Sequence, residues 1–389
     1  MRKLVTIREI TNIEPIPNAD AIELVILDGW KCVAKKNEFK IGQSAVYFEI
    51  DSALPLDDER FSFLSKINTT EINNKLYSVL RTQKFRGQVS QGLALPLDSF
   101  HELNNSEIKI DENSELGLGG VLGIIKYEKE IPAEIENIAI GMFPTSIKST
   151  SLERVQNLTS SDLYSMVLDD KNNNPQFNVN IKLNGLSATF FFKNGKWGIA
   201  SRNVNFDIDT NYAYADLPSL IKSYFDIFFK VIKPKFENVE MPSYDFALQG
   251  EIITPKFAKN FEKVKDTEFY AFKVFNINTS EMLNKNDFYK FCAKYDINQV
   301  PSLNFEPTLS DILGEDFDEY LNIEKQKKSV LNIEEKNHIN KCLTKFREYF
   351  LNLANGKGLY QDKREGIVVY YGKQDAFKAI SNTFLLKEK

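Results

Sequence analysis

The feature that most restricts the fold of this chain is a series of short strand-like runs in its first hundred residues, separated by glycine-containing breaks. Ile22-Glu-Leu-Val-Ile-Leu-Asp-Gly-Trp30 contains an Asp-Gly pair, the dipeptide that suits the unusual backbone angles of a tight hairpin turn. Cys32-Val-Ala-Lys35 and Ser44-Ala-Val-Tyr-Phe-Glu-Ile50 follow, separated by Lys40-Ile-Gly-Gln43. Segments of this length and spacing predict a small antiparallel barrel. Val79-Leu-Arg-Thr82 and Gly92-Leu-Ala-Leu-Pro96 would close it, leaving Arg81, Lys84 and Arg86 in a basic loop between them. That loop is the best candidate nucleic-acid patch in the first hundred residues. A solvated hairpin tip explains it equally well.

Residues 98–125 are polar and rich in glycine, ending in Leu116-Gly-Leu-Gly-Gly-Val-Leu122, and read as a linker. The expected division is a barrel over 1–120 and a second domain over 121–389. In the second domain strands are expected at 178–192, 244–253, 268–277 and 366–371. Helices are expected at 217–231, 284–295 and 315–354, and a helical segment spans about 280–355. The fold class is α+β with a mixed sheet.

The 389 residues suffice for two or three domains. The 30 phenylalanines are read mainly as core packing. A net charge of −5 neither marks nor excludes a nucleic-acid binder, because phosphate affinity depends on where basic residues cluster. Cys32, Cys292 and Cys342 are widely spaced, which argues against disulfides or a structural zinc site. His101 and His338 are too few for a triad, and His338 is expected on the surface. No apolar run is long enough to span a membrane and no signal peptide is evident, so a cytoplasmic location is expected.

The motif that carries chemistry is Lys-x-x-Gly, which occurs as Lys84-Phe-Arg-Gly87, Lys182-Leu-Asn-Gly185 and Lys363-Arg-Glu-Gly366. Each fixed position matches about one time in fifteen by chance, so one such hit is weak evidence. Only Lys182 follows a strand-like run, Phe177-Asn-Val-Asn-Ile181, and precedes a hairpin, Ser187-Ala-Thr-Phe-Phe-Phe-Lys-Asn-Gly195. A lysine that attacks a nucleotide α-phosphate needs its amine unprotonated, so nearby cations or desolvation are expected to lower its pKa. Carboxylates for a metal and ribose, an aromatic face for the base and further cations for phosphate should accompany it.

Lys182-Leu-Asn-Gly185 with Ser201-Arg202-Asn203 resembles the first motifs of the covalent nucleotidyltransferases, which include RNA and DNA ligases and mRNA capping enzymes. Leu248-Gln-Gly-Glu251 resembles their ribose-binding motif, and Phe269-Tyr-Ala-Phe272 the strand whose phenylalanine stacks on adenine. Arg364-Glu-Gly-Ile-Val-Val369 resembles the metal motif. Phe377-Lys-Ala-Ile-Ser-Asn-Thr-Phe-Leu-Leu-Lys387 resembles the segment that brings lysine to the α-phosphate. Ile16-Pro-Asn-Ala-Asp20, Val46-Tyr-Phe-Glu-Ile-Asp-Ser52, Gln88-Val-Ser-Gln-Gly-Leu-Ala-Leu-Pro96 and Ser151-Leu-Glu-Arg-Val-Gln-Asn157 are similar to the Deinococcus-type RNA ligases. Those enzymes place an oligonucleotide-binding (OB) fold before the catalytic domain.

The resemblance implies an OB-fold followed by a nucleotidyltransferase domain, and an ATP-dependent ligase that uses Mg2+ or Mn2+. It would join 3′-OH and 5′-phosphate ends at nicks with an RNA 3′-OH strand. Lys182 would be the nucleophile. Gly185, Arg202, Glu251, Phe272, Glu365, Val368, Lys378 and Lys387 would bind nucleotide, with Glu365 and Asn184 serving the metal. Three positions depart from the family pattern: Ile181 and Asn184 replace a Glu and an Asp around the nucleophile, and Lys273 replaces an Asp after the stacking Phe. Two alternatives stay open, a ligase-like protein that binds RNA or nucleotide without sealing, and a nucleotidyltransferase with another acceptor. A capping enzyme is disfavoured, since its binding fold normally follows the transferase domain.

Overall fold

Eleven strands build the N-terminal part: β1 (Val5–Pro15), β2 (Ile22–Leu27), β3 (Trp30–Lys35), β4 (Ser44–Phe48), β5 (Ser52–Pro55), β6 (Thr69–Ile72), β7 (Lys75–Val79), β8 (Thr82–Phe85), β9 (Gln88–Gln91), β10 (Leu93–Pro96) and β11 (Ile125–Lys126). The computed structural model describes residues 3–104, 116–127, 138–208, 217–237, 239–326, 331–372 and 375–386. A five-stranded sheet in the order β10-β4-β1-β2-β3 faces a four-stranded sheet in the order β11-β5-β7-β6. Every pairing in both is antiparallel. This is the expected OB-type half-barrel. Its sequence signature is the alternation seen in β3, where Trp30, Cys32 and Ala34 are buried and the residues between them are not. Asp28 takes a φ of 54° at the expected turn.

One expectation here needs correction. Residues 116–126 are not a linker. Leu118, Leu122 and Ile124 are buried in the barrel core, and Ile125-Lys126 pairs with β5 across the boundary drawn at 120. The basic stretch between 82 and 91 is a hairpin, β8–β9, turning at Arg86 and Gly87 with φ of 46° and 93°, as the reading of it as a hairpin tip expects.

The second part has two sheets. Its strands are β12 (Ala139–Met142), β13 (Glu153–Arg154), β14 (Asn178–Lys182), β15 (Leu186–Lys193), β16 (Lys196–Ala200), β17 (Val204–Phe206), β18 (Phe246–Ile253), β19 (Glu268–Asn276), β20 (Glu281–Met282), β21 (Gly366–Tyr371) and β22 (Asp375–Ile380). A seven-stranded sheet runs β12-β17-β16-β15-β18-β19-β20, and a four-stranded sheet runs β13-β22-β21-β14. The single strand expected at 178–192 is therefore two strands in different sheets. They part at Leu183–Gly185, inside the Lys-x-x-Gly motif.

The helices are α1 (Ser160–Asp169), α2 (Ser219–Ile227), α3 (Lys233–Glu237), α4 (Lys285–Lys294), α5 (Leu309–Leu313), α6 (Phe317–Lys325), α7 (Ile333–Leu353) and α8 (Asn382–Leu385). The segment about 280–355 is not one helical unit. Helix α4 packs on the seven-stranded sheet, and α5, α6 and α7 pack on the four-stranded one. Many phenylalanines fill these cores as expected: Phe177 lies within 5.5 Å of both Phe346 and Phe350. His338 is not a surface residue. Its ring is largely buried, 3.3 Å from Glu319 and 3.2 Å from the Asp316 carbonyl. No helix among the described residues is long and apolar enough to cross a membrane.

The two parts meet through sequence phrases far apart in the chain. Asn157 accepts hydrogen bonds from the Trp30 indole at 2.7 Å and Arg8 at 2.9 Å, and donates to Glu153 at 2.7 Å and Glu49 at 3.2 Å. Arg154 lies 3.5 Å from fully buried Glu49 and over the Trp30 ring. Gly29 lies close there: a Cβ would stand 3.0 Å from the Arg347 side chain and the Gln156 backbone, so a side chain would need these neighbours to shift by a few tenths of an ångström.

Candidate active site

A cavity of about 530 Å3 opens between the two sheets, and Lys182, Asn184, Gly185, Arg202, Glu251, Phe272, Glu365, Val368 and Lys378 all line it. Their convergence follows from strand register. On the four-stranded sheet, Lys182 is opposite Gly366 and Asn180 is opposite Val368, which is in turn opposite Lys378. Side chains two apart share a strand face, so Lys182 and Asn180 point the same way.

The turn after Lys182 is held by two carboxylates, buried Glu262 and part-buried Glu251. As β14 leaves its sheet, the amides of Asn184 and Gly185 lose ladder partners and need others. Asn184 N–H donates to Glu262 Oε1 at 2.8 Å, and Gly185 N–H donates to Glu251 Oε1 at 3.1 Å. Gly185 cannot carry a side chain, since a Cβ would lie 2.3 Å from the Ile252 carbonyl oxygen.

A bulge in β19 shapes the opposite wall. Gln249 pairs with Lys273 but Gly250 pairs with Ala271, leaving Phe272 as the extra residue. Ala271 and Val274 both stay in the core. Phe272 and Lys273 therefore both reach the cavity, whereas a regular strand would send one of them away.

Lys182 Nζ lies 2.6 Å from Glu365 Oε1. Burial pulls the Lys182 pKa down and Arg202 adds to that pull. Glu365 and Glu251 outweigh both and hold it above the ordinary lysine value. This reverses the expectation that cations and desolvation would leave a lowered pKa. Lys182 at rest is a paired ammonium. Glu251 is pushed up to about 7, first by burial and then by Glu365, against the pull of Lys182. Burial also raises Glu262. Lys273 is lowered to about 8 by burial and by Lys148, opposed by Asp375.

Lys387 lies outside the described residues. Arg81, Lys84 and Arg86 do not line the cavity. Arg81 pairs with Asp51 at 3.3 Å and stacks on Tyr127, whereas Lys84 and Arg86 are exposed on the β8–β9 hairpin. Reading the sequence missed Glu262 and Asn180. Glu262 sits in a loop with no motif to mark it. Asn180 could have been found by counting back two residues from Lys182 along the strand.

Among the described residues no group of three or more His, Cys, Asp or Glu side chains is arranged to hold a metal ion. A divalent ion here would need ligands from a substrate and water as well as from the protein, a habit of Mg2+ at phosphate sites.

Residues 4–97 match a family model described as an OB-fold domain, and residues 175–380, more than half of the chain, match one described as RNA ligase. No curated protein sequence matches. Among solved structures, the chain is similar to a Naegleria gruberi RNA ligase point mutant in its apo form, with 32% identity and a TM-score of 0.73 over 100% of this chain and 98% of that one. A second mutant of that ligase, with ATP and Mn, is 31% identical at TM-score 0.73 over 99% of each chain. A third structure of it, with PPi, gives 31% and 0.73 over 100% of this chain and 99% of that one.

Proposed function

The chain belongs to the RNA ligase family, and from that membership we propose that it joins RNA ends through AMP carried on Lys182. The Lys182 amine would attack the α-phosphorus of ATP. A P–N bond forms, the P–O bond to pyrophosphate breaks, and the ammonium proton is lost. AMP would then pass to a 5′-phosphate, and a 3′-OH would displace it.

The observation that carries this reading is the convergence of the motif residues on one cavity in a workable order. Phe272 and Val368 offer apolar faces for a base, Glu251 is suited to the ribose, and Arg202 and Lys378 bring positive charge toward the phosphates. A divalent ion, Mg2+ or Mn2+, fits beside Glu365 and Asn184 and would neutralise phosphate charge. The solved Naegleria ligase structures with ATP, AMP and Mn support nucleotide and metal use. Were Glu365 to hold a divalent ion, Lys182 would lose its strongest stabilising partner, and burial and Arg202 would then favour the free amine against Glu251 alone. Catalysis at Lys182 is therefore coupled to loading of the site.

The finer reading is a Deinococcus-type enzyme that seals nicks with an RNA 3′-OH strand. The N-terminal phrases and Ser151-Leu-Glu-Arg-Val-Gln-Asn157 support it, and Glu49 of one phrase meets Arg154 and Asn157 of another at the junction of the OB-fold and the catalytic part. Arg81, Lys84 and Arg86 remain the proposed RNA contacts, with Lys84 and Arg86 the accessible pair. Nicked duplexes differing only in an RNA or a DNA 3′-OH strand test this. Sealing of the RNA-ended nick is expected. Equal sealing of both would remove the RNA-end preference.

A further inference from the structure

We propose that the loop joining β18 to β19, residues 254–267, is a docking surface for the phosphate backbone of RNA. The inference rests on the RNA-ligase reading and adds a surface outside both the motif set and the Arg81, Lys84 and Arg86 set. Lys256, Lys259, Lys263 and Lys265 fall within ten consecutive residues of this loop, and all four are exposed. The exposed acid beside them on the loop is Asp266, since Glu262 is buried. Among the described residues no carboxylate forms an ion pair with any of the four. On a chain of net charge −5 this is a local basic face, the footprint of a site for a polyanion.

The loop is pinned from beneath. Three successive turns close it, with Phe257 N–H donating to the Thr254 carbonyl, Asn260 N–H to Phe257 and Lys263 N–H to Asn260, at 3.1, 2.8 and 3.0 Å. The Asn260 side chain accepts from Val264 N–H at 3.0 Å and donates to the Val264 carbonyl at 2.9 Å. Ala258, Lys259, Asn260 and Lys263 take φ between 48° and 55°, a conformation that persists outside glycine where the surroundings over-determine it. The residues between the lysines turn inward. Glu262 accepts from the Asn184 N–H, Val264 is buried with Ile181 and Leu183, and Phe261 lies 4.9 Å from Phe384 in a cluster with Ile50 of the OB-fold. The loop thus touches the turn after Lys182 and the OB-fold while holding its lysines outward. Lys256 stands five residues beyond Glu251, at most about 18 Å along the chain, so a strand on this face lies within reach of the cavity. Its outward side carries lysines with Ala258 and Asp266. That composition suits repeated phosphates, whereas a protein partner would need an apolar or aromatic centre to bury.

The test measures binding of a nicked duplex with an RNA 3′-OH strand to the full chain by fluorescence anisotropy, without ATP, from about 50 to 200 mM salt. Lys256→Gln, Lys259→Gln and Lys263→Gln combined should weaken binding by about tenfold or more at the low end. The slope of log affinity against log salt should fall by about one for each lysine that meets a phosphate. Transfer of label from α-labelled ATP to Lys182 should be unchanged in this variant. A control with Lys290→Gln, Lys294→Gln and Lys325→Gln removes the same charge from α4 and α6 and should bind like the parent. Unchanged affinity and slope in the loop variant, or an equal loss in the control, overturns the inference. Loss of label transfer together with binding also overturns it, because the lysines would then serve ATP or the fold. A parent that binds no RNA fails the RNA reading itself, whereas a parent and loop variant that bind RNA equally sink this inference alone.

Discussion

Glu365 Oε1 sits 2.6 Å from Lys182 Nζ, so the residue proposed for the metal also pairs with the proposed nucleophile. Replacing it separates the two effects. Glu365→Gln should lower the Lys182 pKa, read as faster pH-dependent labelling by an amine-selective reagent. It should also slow AMP transfer by about a hundredfold or more through loss of the metal. A variant with unchanged labelling would show that Glu365 does not set the resting charge of Lys182.

Glu251 links stability to pH. Its folded pKa of about 7 lies above the ordinary value of 4.5, so the folded chain holds a proton that the unfolded chain releases between those values. Its contribution is most favourable below pH 4.5 and is lost as pH rises to 7 and beyond. Glu251→Gln should therefore raise Tm relative to the parent more at pH 8 than at pH 5, while impairing AMP transfer. A difference in Tm that is the same at both pH values would contradict this.

Asn184, proposed to serve the metal, lines the cavity beside Lys182 without a charge of its own. Asn184→Asp should lower the metal concentration for half-maximal AMP transfer by severalfold, roughly the value of one added charge at a solvated metal site. An unchanged or raised midpoint would mean that this side chain does not face the ion.

Lys273 should make ATP binding pH-dependent. Its ammonium is held at about 8 by burial and Lys148, with Asp375 opposing. Half-saturation by ATP should worsen as pH rises through 8, and Lys273→Met should flatten that limb. A profile of the same shape in the variant would rule out Lys273 as its source.

Asn157 holds the junction between the two parts. Asn157→Ala strands the Trp30 and Arg8 donors and one face of buried Glu49, and should cost about 2–3 kcal/mol of stability by denaturant unfolding. Sealing should suffer more than AMP transfer to Lys182, because the OB-fold loses its fixed place. Equal losses in both would show that the junction serves stability alone.

Much of the fold and site was readable because it depends on local pattern. The short glycine-punctuated runs and the Asp28-Gly29 turn announce a barrel, and the order of the motifs after Lys182 picks out Arg202, Glu251, Phe272, Glu365 and Lys378. What stayed hidden depends on the third dimension. Nothing local shows that Leu183–Gly185 crosses between two sheets, since the apolar pattern continues on both sides. The β19 bulge that turns both Phe272 and Lys273 inward leaves no mark in the sequence. Glu262 looked like any loop carboxylate, and only burial against the Asn184 amide sets it apart. The Lys182 pKa was expected to be lowered because the cations were counted, while the nearness of Glu365 and Glu251 was not visible.

The central claim, that Lys182 carries AMP, is tested most directly by incubating the full chain with α-labelled ATP and Mg2+ or Mn2+ and denaturing it. The account predicts label that survives denaturation in the parent and is absent from Lys182→Ala. Label retained by Lys182→Ala, or none in the parent under any condition with either metal, would contradict it.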